Sequence, residues 1–146
     1  MGLKKATIID GKEFSNRTNQ SLLPNVKLIV EKIGRPPALA VILVGEDAAS
    51  RVYVRNKVKQ TKDAGMVSIE HQLSAETSEK TLLSLIDTLN KDDQIDGILV
   101  QLPLPKHINE NSVIQNINPE KDVDGFHVIN AGKLATGQKG LVPCTP

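Results

Sequence analysis

Short apolar runs alternate along the chain with longer amphipathic stretches. Residues 39–44 (LAVILV) are continuously aliphatic, which is typical of a strand covered on both faces. Residues 96–102 (DGILVQL) form a second buried run, which Pro103 and Pro105 bring to an end. Residues 67–73 (VSIEHQL) alternate apolar and polar positions, and this predicts a half-exposed strand nearer a sheet edge. Residues 7–9 are a candidate for a short first strand.

The stretches between these runs carry helix signals. Residues 12–33 predict a long, rather polar helix that includes Pro24 and ends before Gly34. A second helix is expected after Asp47, closing at Gly65. A third, rich in leucine, follows a cap at residue 77 or 78, and a short fourth covers about residues 110–117. Residues 118–146 are expected to be rich in loops.

Strands that alternate with helices predict one fold class. The expected architecture is an α/β, three-layer α-β-α domain with a mostly parallel sheet, formed by residues 1–146 as one unit. The chain stops at residues 141–146 (LVPCTP) with neither a closing helix nor a polar tail. We therefore expect this end to be a boundary inside a larger protein.

Composition excludes several classes of function. The net charge is +1 and the aromatic content 2%, with no basic stripe interleaved with aromatic residues, so a nucleic-acid surface is not expected. No apolar run is long enough to span a membrane, and no signal-peptide pattern is present. The single cysteine, Cys144, suits a reducing compartment, and we expect a cytoplasmic protein. The three histidines lack metal-ligand spacing, so no metal site is expected.

Tyr53, which is the only tyrosine, lies four residues before Lys57 in the predicted second helix. This spacing places both side chains on one helix face, with Lys57 at the edge of the buried side and away from the other basic residues of that helix. An aromatic plate beside an amine is a common arrangement for acid–base chemistry. The alternative is structural: a lysine that extends over an apolar rim, with Tyr53 as a half-buried plug.

Two further polar features are candidates for a site. Gln101 interrupts the buried run at the carboxyl end of its strand, where crevices form in open α/β sheets. It either belongs to a site or satisfies loop carbonyls around Pro103. Asp122 and Asp124 precede Gly125, a pattern that fits an Asx-type turn, a pair of cation ligands or an acceptor for substrate N–H groups. No third carboxylate follows at EF-hand spacing, which argues against calcium.

Three extended motifs together are more specific than any of these features. They are residues 44–57 (VGEDAASRVYVRNK), residues 96–105 (DGILVQLPLP) and residues 119–126 (PEKDVDGF). In this order and spacing they closely resemble the bifunctional methylenetetrahydrofolate dehydrogenase/methenyltetrahydrofolate cyclohydrolase family. Residues 130–134 (NAGKL) and 143–146 (PCTP) match as well, so the resemblance covers essentially the whole chain.

The resemblance implies a role for each singled-out residue. Lys57 is similar to the family's catalytic lysine, and Gln101 to the amide that hydrogen-bonds it. Tyr53 is similar to the residue that packs on the substrate's aminobenzoyl part, and Asp124 to the carboxylate that anchors the pterin. Together with these four, the implied substrate site contains Val54, Arg55, Asn56, Val100, Leu102 and Pro103.

The resemblance also implies partners. The family pairs this domain with a C-terminal Rossmann domain that binds NADP, and tetrahydrofolate derivatives lie in the cleft between the two. This chain has no G-x-G-x-x-G pattern, so no NADP site of its own is expected, and isolated it should lack dehydrogenase activity. The full-length enzyme is expected to be a homodimer. A short, non-catalytic folate-binding or interaction module remains the alternative. A short-chain dehydrogenase, which shares a Tyr-x-x-x-Lys pair, would need an N-terminal glycine-rich turn that is absent.

Overall fold

The computed structural model describes residue 6 and residues 8–144. These residues form three strands and five helices. In chain order the elements are α1 (Gly11–Ile33), β1 (Ala38–Val44), α2 (Ala48–Asp63), β2 (Val67–Leu73), α3 (Glu79–Lys91), β3 (Gly97–Val100), α4 (Glu110–Asn116) and α5 (Val128–Ala135). The strands make one parallel sheet in the order β2-β1-β3, which confirms the α/β class with a parallel sheet.

The central strand β1 supplies the core on both faces of the sheet, because successive side chains of a strand point to opposite sides. Ala40, Ile42 and Val44 pack with buried residues of α3 and α4. Val41 and Leu43 point the other way and pack with buried residues of α2. Helices therefore cover both faces, as a three-layer α-β-α domain requires, and the sheet between them is fully apolar along β1 and β3.

A bidentate ion pair ties the entrance of β1 to the entrance of β3. The Arg35 guanidinium donates to both carboxylate oxygens of Asp96, at 2.6 and 3.0 Å. The same carboxylate accepts the Ala38 N–H at 2.8 Å. The hydrogen bond from Arg35 is the main reason why the pKa of Asp96 is lowered. These contacts set the register of β1 and β3, so that their carboxyl ends emerge together.

Most predicted elements agree with the structure to within a residue or two, but two expectations were wrong and one helix was not predicted. Ile8 and Ile9 are 90% exposed and form no strand, because nothing in the described part of the chain packs on them; Thr7 lies outside the described residues. The strand predicted over residues 96–102 is confined to Gly97–Val100, so Gln101 follows it rather than interrupting it. The expected terminal loop contains α5, which His127 caps by accepting the Ile129 N–H.

The helices contain no candidate for a membrane span. Within the described residues, none combines the length and the apolar character needed to cross a bilayer.

Candidate active site

A cavity of about 580 Å³ lies beside α2 and reaches the carboxyl end of β3. Its walls are mainly apolar, and a few polar side chains reach into it. Four of the residues singled out from the sequence line it together: Tyr53, Lys57, Gln101 and Asp124. They come from a helix, a strand end and a loop, so the fold assembles in space what the sequence separates by up to 71 positions.

The position of α2 is fixed at its first turn and along its buried face. Asp47 caps the helix by accepting the Ser50 N–H at 2.7 Å, and this hydrogen bond lowers the pKa of Asp47. Val54 and Val58, four residues apart, pack against the sheet. Tyr53 and Lys57 lie one position before each of them, so both turn toward the rim of the helix. Tyr53 is 63% exposed, an open aromatic surface at the cavity wall rather than a half-buried plug.

Lys57 is held by an amide. Its Nζ donates to Oε1 of Gln101 at 3.3 Å, and this bond joins α2 to the end of β3 across 44 residues of chain. The Lys57 ammonium also acts electrostatically on Asp124. The amine is therefore flanked by a neutral acceptor and a carboxylate, and it lies on the cavity wall.

Gln101 is fixed at both its main chain and its side chain. Its N–H donates to the Ile42 carbonyl at 2.8 Å, which continues the β1–β3 ladder by one bond. Its Nε2 donates to the Leu102 carbonyl at 2.6 Å, and this orients Oε1 toward Lys57. The loop beyond is anchored where the Leu104 N–H donates to Glu110 at 2.9 Å. Gln101 satisfies a loop carbonyl, as one interpretation of the sequence expected, and it also lines the cavity. Its part in a functional site stays a prediction.

Asp124 is a half-buried carboxylate. It lies in the turn that follows Asp122, the residue that forms an isolated β-bridge with Ile98 of β3. Burial raises the pKa of Asp124, repulsion from Asp122 acts in the same direction, and attraction to Lys57 opposes both. An acceptor whose charge is partly desolvated binds N–H donors strongly when they arrive. The cavity wall therefore carries two separate polar groups, the amine of Lys57 and the carboxylate of Asp124.

The structure separates the predicted substrate-site residues into three groups. Val100 and Leu102 line the cavity with the four polar or aromatic residues above. Val54 is 6% exposed and belongs to the core. Arg55, Asn56 and Pro103 are exposed and do not line the cavity.

Sequence reasoning missed more than half of the cavity wall. Gln60, Thr61 and Ala64 continue the α2 face on which Lys57 lies, and their spacing of three, four and seven residues from Lys57 was the signal available. The other missed lining residues left no local pattern. Leu99 and Val123 adjoin predicted site residues, and the rest come from other segments: Asn19, Leu22, Leu39, Met66, Phe126 and Cys144. Cys144 is a free, exposed thiol.

The side chains of the described residues include no group of three or more His, Cys, Asp or Glu arranged to hold a metal ion.

Comparison with known proteins identifies relatives along nearly the whole chain. Residues 9–124 match the family model described as the tetrahydrofolate dehydrogenase/cyclohydrolase catalytic domain. A protein named Bifunctional protein FolD 2 from Roseobacter denitrificans is 58% identical over 141 residues, which is 97% of this chain and 47% of that protein. Bifunctional protein FolD 3 from Rhizorhabdus wittichii is 57% identical over 146 residues, 100% of this chain and 48% of that protein.

Solved structures give the same result. The bifunctional FolD enzyme of Campylobacter jejuni superposes with a TM-score of 0.90 at 44% identity, covering 94% of this chain and 49% of that one. The Trypanosoma brucei methylenetetrahydrofolate dehydrogenase-cyclohydrolase, solved with NADP cofactor and inhibitor, gives 0.91 at 32% identity, covering 98% and 49%. The chain spans about half the length of the curated relatives it matches.

Proposed function

The chain belongs to the tetrahydrofolate dehydrogenase/cyclohydrolase family, and we propose that residues 1–146 form the folate-binding catalytic domain of a bifunctional enzyme. That enzyme oxidises 5,10-methylenetetrahydrofolate to 5,10-methenyltetrahydrofolate with NADP and hydrolyses the product to 10-formyltetrahydrofolate. The observation that carries the proposal is the hydrogen bond from Lys57 to Gln101 on the wall of a cavity that Asp124 also lines.

The size and lining of the cavity support a folate ligand. Its volume of about 580 Å³ lies within the roughly 300–1,000 Å³ typical of small-molecule sites. The apolar wall suits flat rings, and the exposed face of Tyr53 suits packing against the aminobenzoyl ring. Asp124 is placed to accept hydrogen bonds from the pterin's amino and ring N–H groups, which would fix the orientation of the ligand.

In the hydrolytic step Lys57 acts as the general base. Water forms a bond to the methenyl carbon, and one of its protons passes to the amine. The hydroxyl group so formed then loses its proton as the formyl C=O bond forms, the bond from that carbon to N5 of the folate breaks, and N5 takes up a proton, so that one proton is released overall. The positive charge of the methenyl substrate favours the neutral form of an adjacent amine. Gln101 holds Nζ by an acceptor that carries no charge, so it orients the amine without favouring its protonated form as a carboxylate would.

The residues present do not fit NADP. The described turn from β1 to α2 contains Gly45, Glu46 and Asp47, and Asp47 already caps the helix. Two carboxylates at the start of α2 would repel a pyrophosphate where a dinucleotide fold needs glycines. We therefore place NADP on a part of the enzyme outside this chain and derive no hydride step from these residues.

The proposal includes a homodimeric, cytoplasmic enzyme. The free thiol of Cys144 is compatible with a reducing compartment. Val128, Ile129 and Leu134 on α5 are exposed apolar side chains that are available for contacts with further protein. Sedimentation of the native protein measures the oligomeric state.

The direct test of the catalytic assignment is Lys57→Met in the native full-length protein. We expect hydrolysis of methenyltetrahydrofolate to fall to the spontaneous rate, because the methionine side chain keeps the length of lysine but takes no proton. Loss of a general base lowers rates by roughly 10²–10⁴-fold. Hydrolysis is followed by the loss of methenyltetrahydrofolate absorbance, with the spontaneous reaction subtracted.

Lys59→Met is the matched control, because Lys59 is an exposed lysine on the same helix and does not line the cavity. It should hydrolyse at the wild-type rate. Near-normal hydrolysis by Lys57→Met would remove the lysine from the mechanism. Folate binding without Lys57-dependent turnover would instead identify a non-catalytic folate-binding module.

A further inference from the structure

One buried carboxylate has no part in the cavity wall. Asp122 is 2% exposed, and in the described residues its partners are N–H donors rather than cations. Its Oδ1 accepts the Gly125 N–H at 3.1 Å. Its Oδ2 accepts the His127 N–H at 2.9 Å and the Asn130 Nδ2 at 3.0 Å. Burying a carboxylate without a neighbouring cation costs free energy. Three N–H donors converge on Asp122 and offset this cost, which indicates that the residue has a structural role.

The donors themselves are fixed to two other segments. Asn130 is 1% exposed and lies on α5, and its Nδ2 also donates to the Pro119 carbonyl at 2.8 Å. The His127 ring lies 3.2 Å from the Gln115 carbonyl at the end of α4. Asp122 thus binds a turn, the start of α5 and, through Asn130, the segment that leaves α4.

The backbone on the other side of Asp122 is attached to the sheet. Ile98 of β3 donates its N–H to the Lys121 carbonyl at 2.7 Å, and Ile98 and Asp122 form a parallel bridge. Gly125 has a φ of +69°, which closes the turn in a conformation that glycine adopts without strain. Asp124 lies inside this turn, between Asp122 and Gly125, which are joined by the hydrogen bond to the Asp122 carboxylate. The same contacts therefore determine the direction of the Asp124 side chain.

We propose that Asp122 is a positioning residue, whose buried carboxylate holds the turn 122–125 against β3 and α5 so that the Asp124 carboxylate faces the folate cavity. This inference rests on the proposed function, because it assigns Asp122 a part in folate recognition through Asp124. Asp122 is not a catalytic residue, since it does not line the cavity.

The test is Asp122→Asn in the native full-length protein, with Glu120→Gln as control. In the wild-type protein both carboxylate oxygens of Asp122 accept hydrogen bonds from N–H donors. An asparagine has almost the same side-chain volume, but it must direct its own NH₂ group at one of these donors, and this breaks the hydrogen bonds that hold the turn. Glu120→Gln makes the same change of charge two residues away, at an exposed position. We expect Asp122→Asn to raise KM for methenyltetrahydrofolate at least ~10-fold with kcat little changed, because misplaced binding groups weaken ground and transition states alike.

This pattern separates positioning from simple loss of folded protein. A variant that only unfolds in part lowers the apparent kcat by reducing the active fraction and leaves KM unchanged. A result of that kind, or a KM for Asp122→Asn equal to that of Glu120→Gln, would overturn the inference while the proposed function stands. Absence of folate turnover in the wild-type protein would overturn both.

Amide hydrogen exchange measures, without any folate, whether the Asp122 carboxylate holds the turn 122–125. In the wild-type protein the amides of Gly125 and His127 should be protected, because both are buried donors to Asp122. Asp122→Asn should speed their exchange at least ~10-fold and leave β1 amides unchanged. Unchanged exchange at Gly125 and His127 would show that the carboxylate does not hold the turn.

Discussion

At the scale of single residues, the charged side chains of the site and the buried Asp122 behind it are held, within the described residues, without direct ion pairing. Lys57 is bonded to an amide and Asp122 to N–H donors. Asp124 stays half-buried with a raised pKa. Lys57 and Asp124 line the cavity without an ion-pair partner in direct contact, so both are available to a ligand. A trade-off between stability and binding is therefore expected at Asp124.

The prediction at this scale concerns Asp124→Asn. Because burial raises the pKa of Asp124 above the ordinary 3.8, the native state holds its proton more tightly than the unfolded state does. Stability then falls as the pH rises through the interval from the ordinary pKa to the native one. The asparagine variant lacks this loss, so its free energy of unfolding at pH 7 should exceed that of the wild type.

Urea unfolding at pH 7 and below pH 3.8 measures the effect. The advantage of Asp124→Asn should be present at pH 7 and should vanish at the lower pH, where both states of the wild type are protonated. Glu120→Gln, which makes the same change of charge at an exposed loop position, serves as the control and should show no such gain. A variant less stable than the wild type at pH 7 would contradict the account.

At the scale of elements, the sequence predicted well what depends on local periodicity. The three buried or alternating runs became the three strands, and the capping residue Ser78 begins α3 as expected. α5 was missed because its signal is tertiary: Asn130 and Gly132 are poor helix formers, and Asn130 is buried as a hydrogen-bond donor to Asp122. At Ile8 and Ile9 a strand was predicted and none is found, because apolar residues that pack on nothing do not form a strand.

The residues of the cavity wall divide in the same way, into those with a local signal in the sequence and those without one. Tyr53, Lys57 and Gln101 were visible because each breaks a local pattern, and the resemblance supplied their roles. Asn19 and Leu22 were invisible because they reach the cavity from α1, far along the chain. Long-range assembly leaves no periodic trace in a single sequence.

Gly97 provides the prediction at the element scale. A Cβ at this position of β3 would lie 2.5 Å from Val123 Cγ1 and 3.3 Å from Leu39 Cδ1. Gly97→Ala should therefore destabilise the fold by roughly 1–3 kcal/mol through overpacking. The displaced Val123 adjoins Asp124, so KM for folate should rise as well. Chemical denaturation and steady-state kinetics measure the two effects.

Gly132→Ala is the matched substitution. Gly132 lies inside α5 with no atom within 4 Å of the added Cβ, so alanine should stabilise the helix by roughly 0.5–1 kcal/mol. Opposite signs for the two variants are expected. A neutral Gly97→Ala would mean that the sheet and the turn carrying Asp124 are less tightly packed than described here.

At the scale of the whole molecule, the described residues form a sheet covered on both faces and a cavity open at one edge. The chain spans about half the length of its curated relatives, and apolar side chains on α1 and α5 remain exposed, among them Phe14, Leu28 and Val128. Exposed apolar surface of this kind marks contact with further protein. In the proposed bifunctional enzyme we expect the residues of this chain to form one wall of a complete cleft.

The central claim is that this wall binds folate, and calorimetric titration of the native full-length protein with tetrahydrofolate tests it most directly. The wild type and Lys57→Met should bind alike, because the lysine acts in the chemistry. Asp124→Asn should bind ~10–100-fold more weakly, and Tyr53→Ala ~2–10-fold. Val52→Ala, a change at an exposed neighbour of Tyr53, should bind as the wild type does. No binding by the wild type, or equal affinity in all five proteins, would contradict the account.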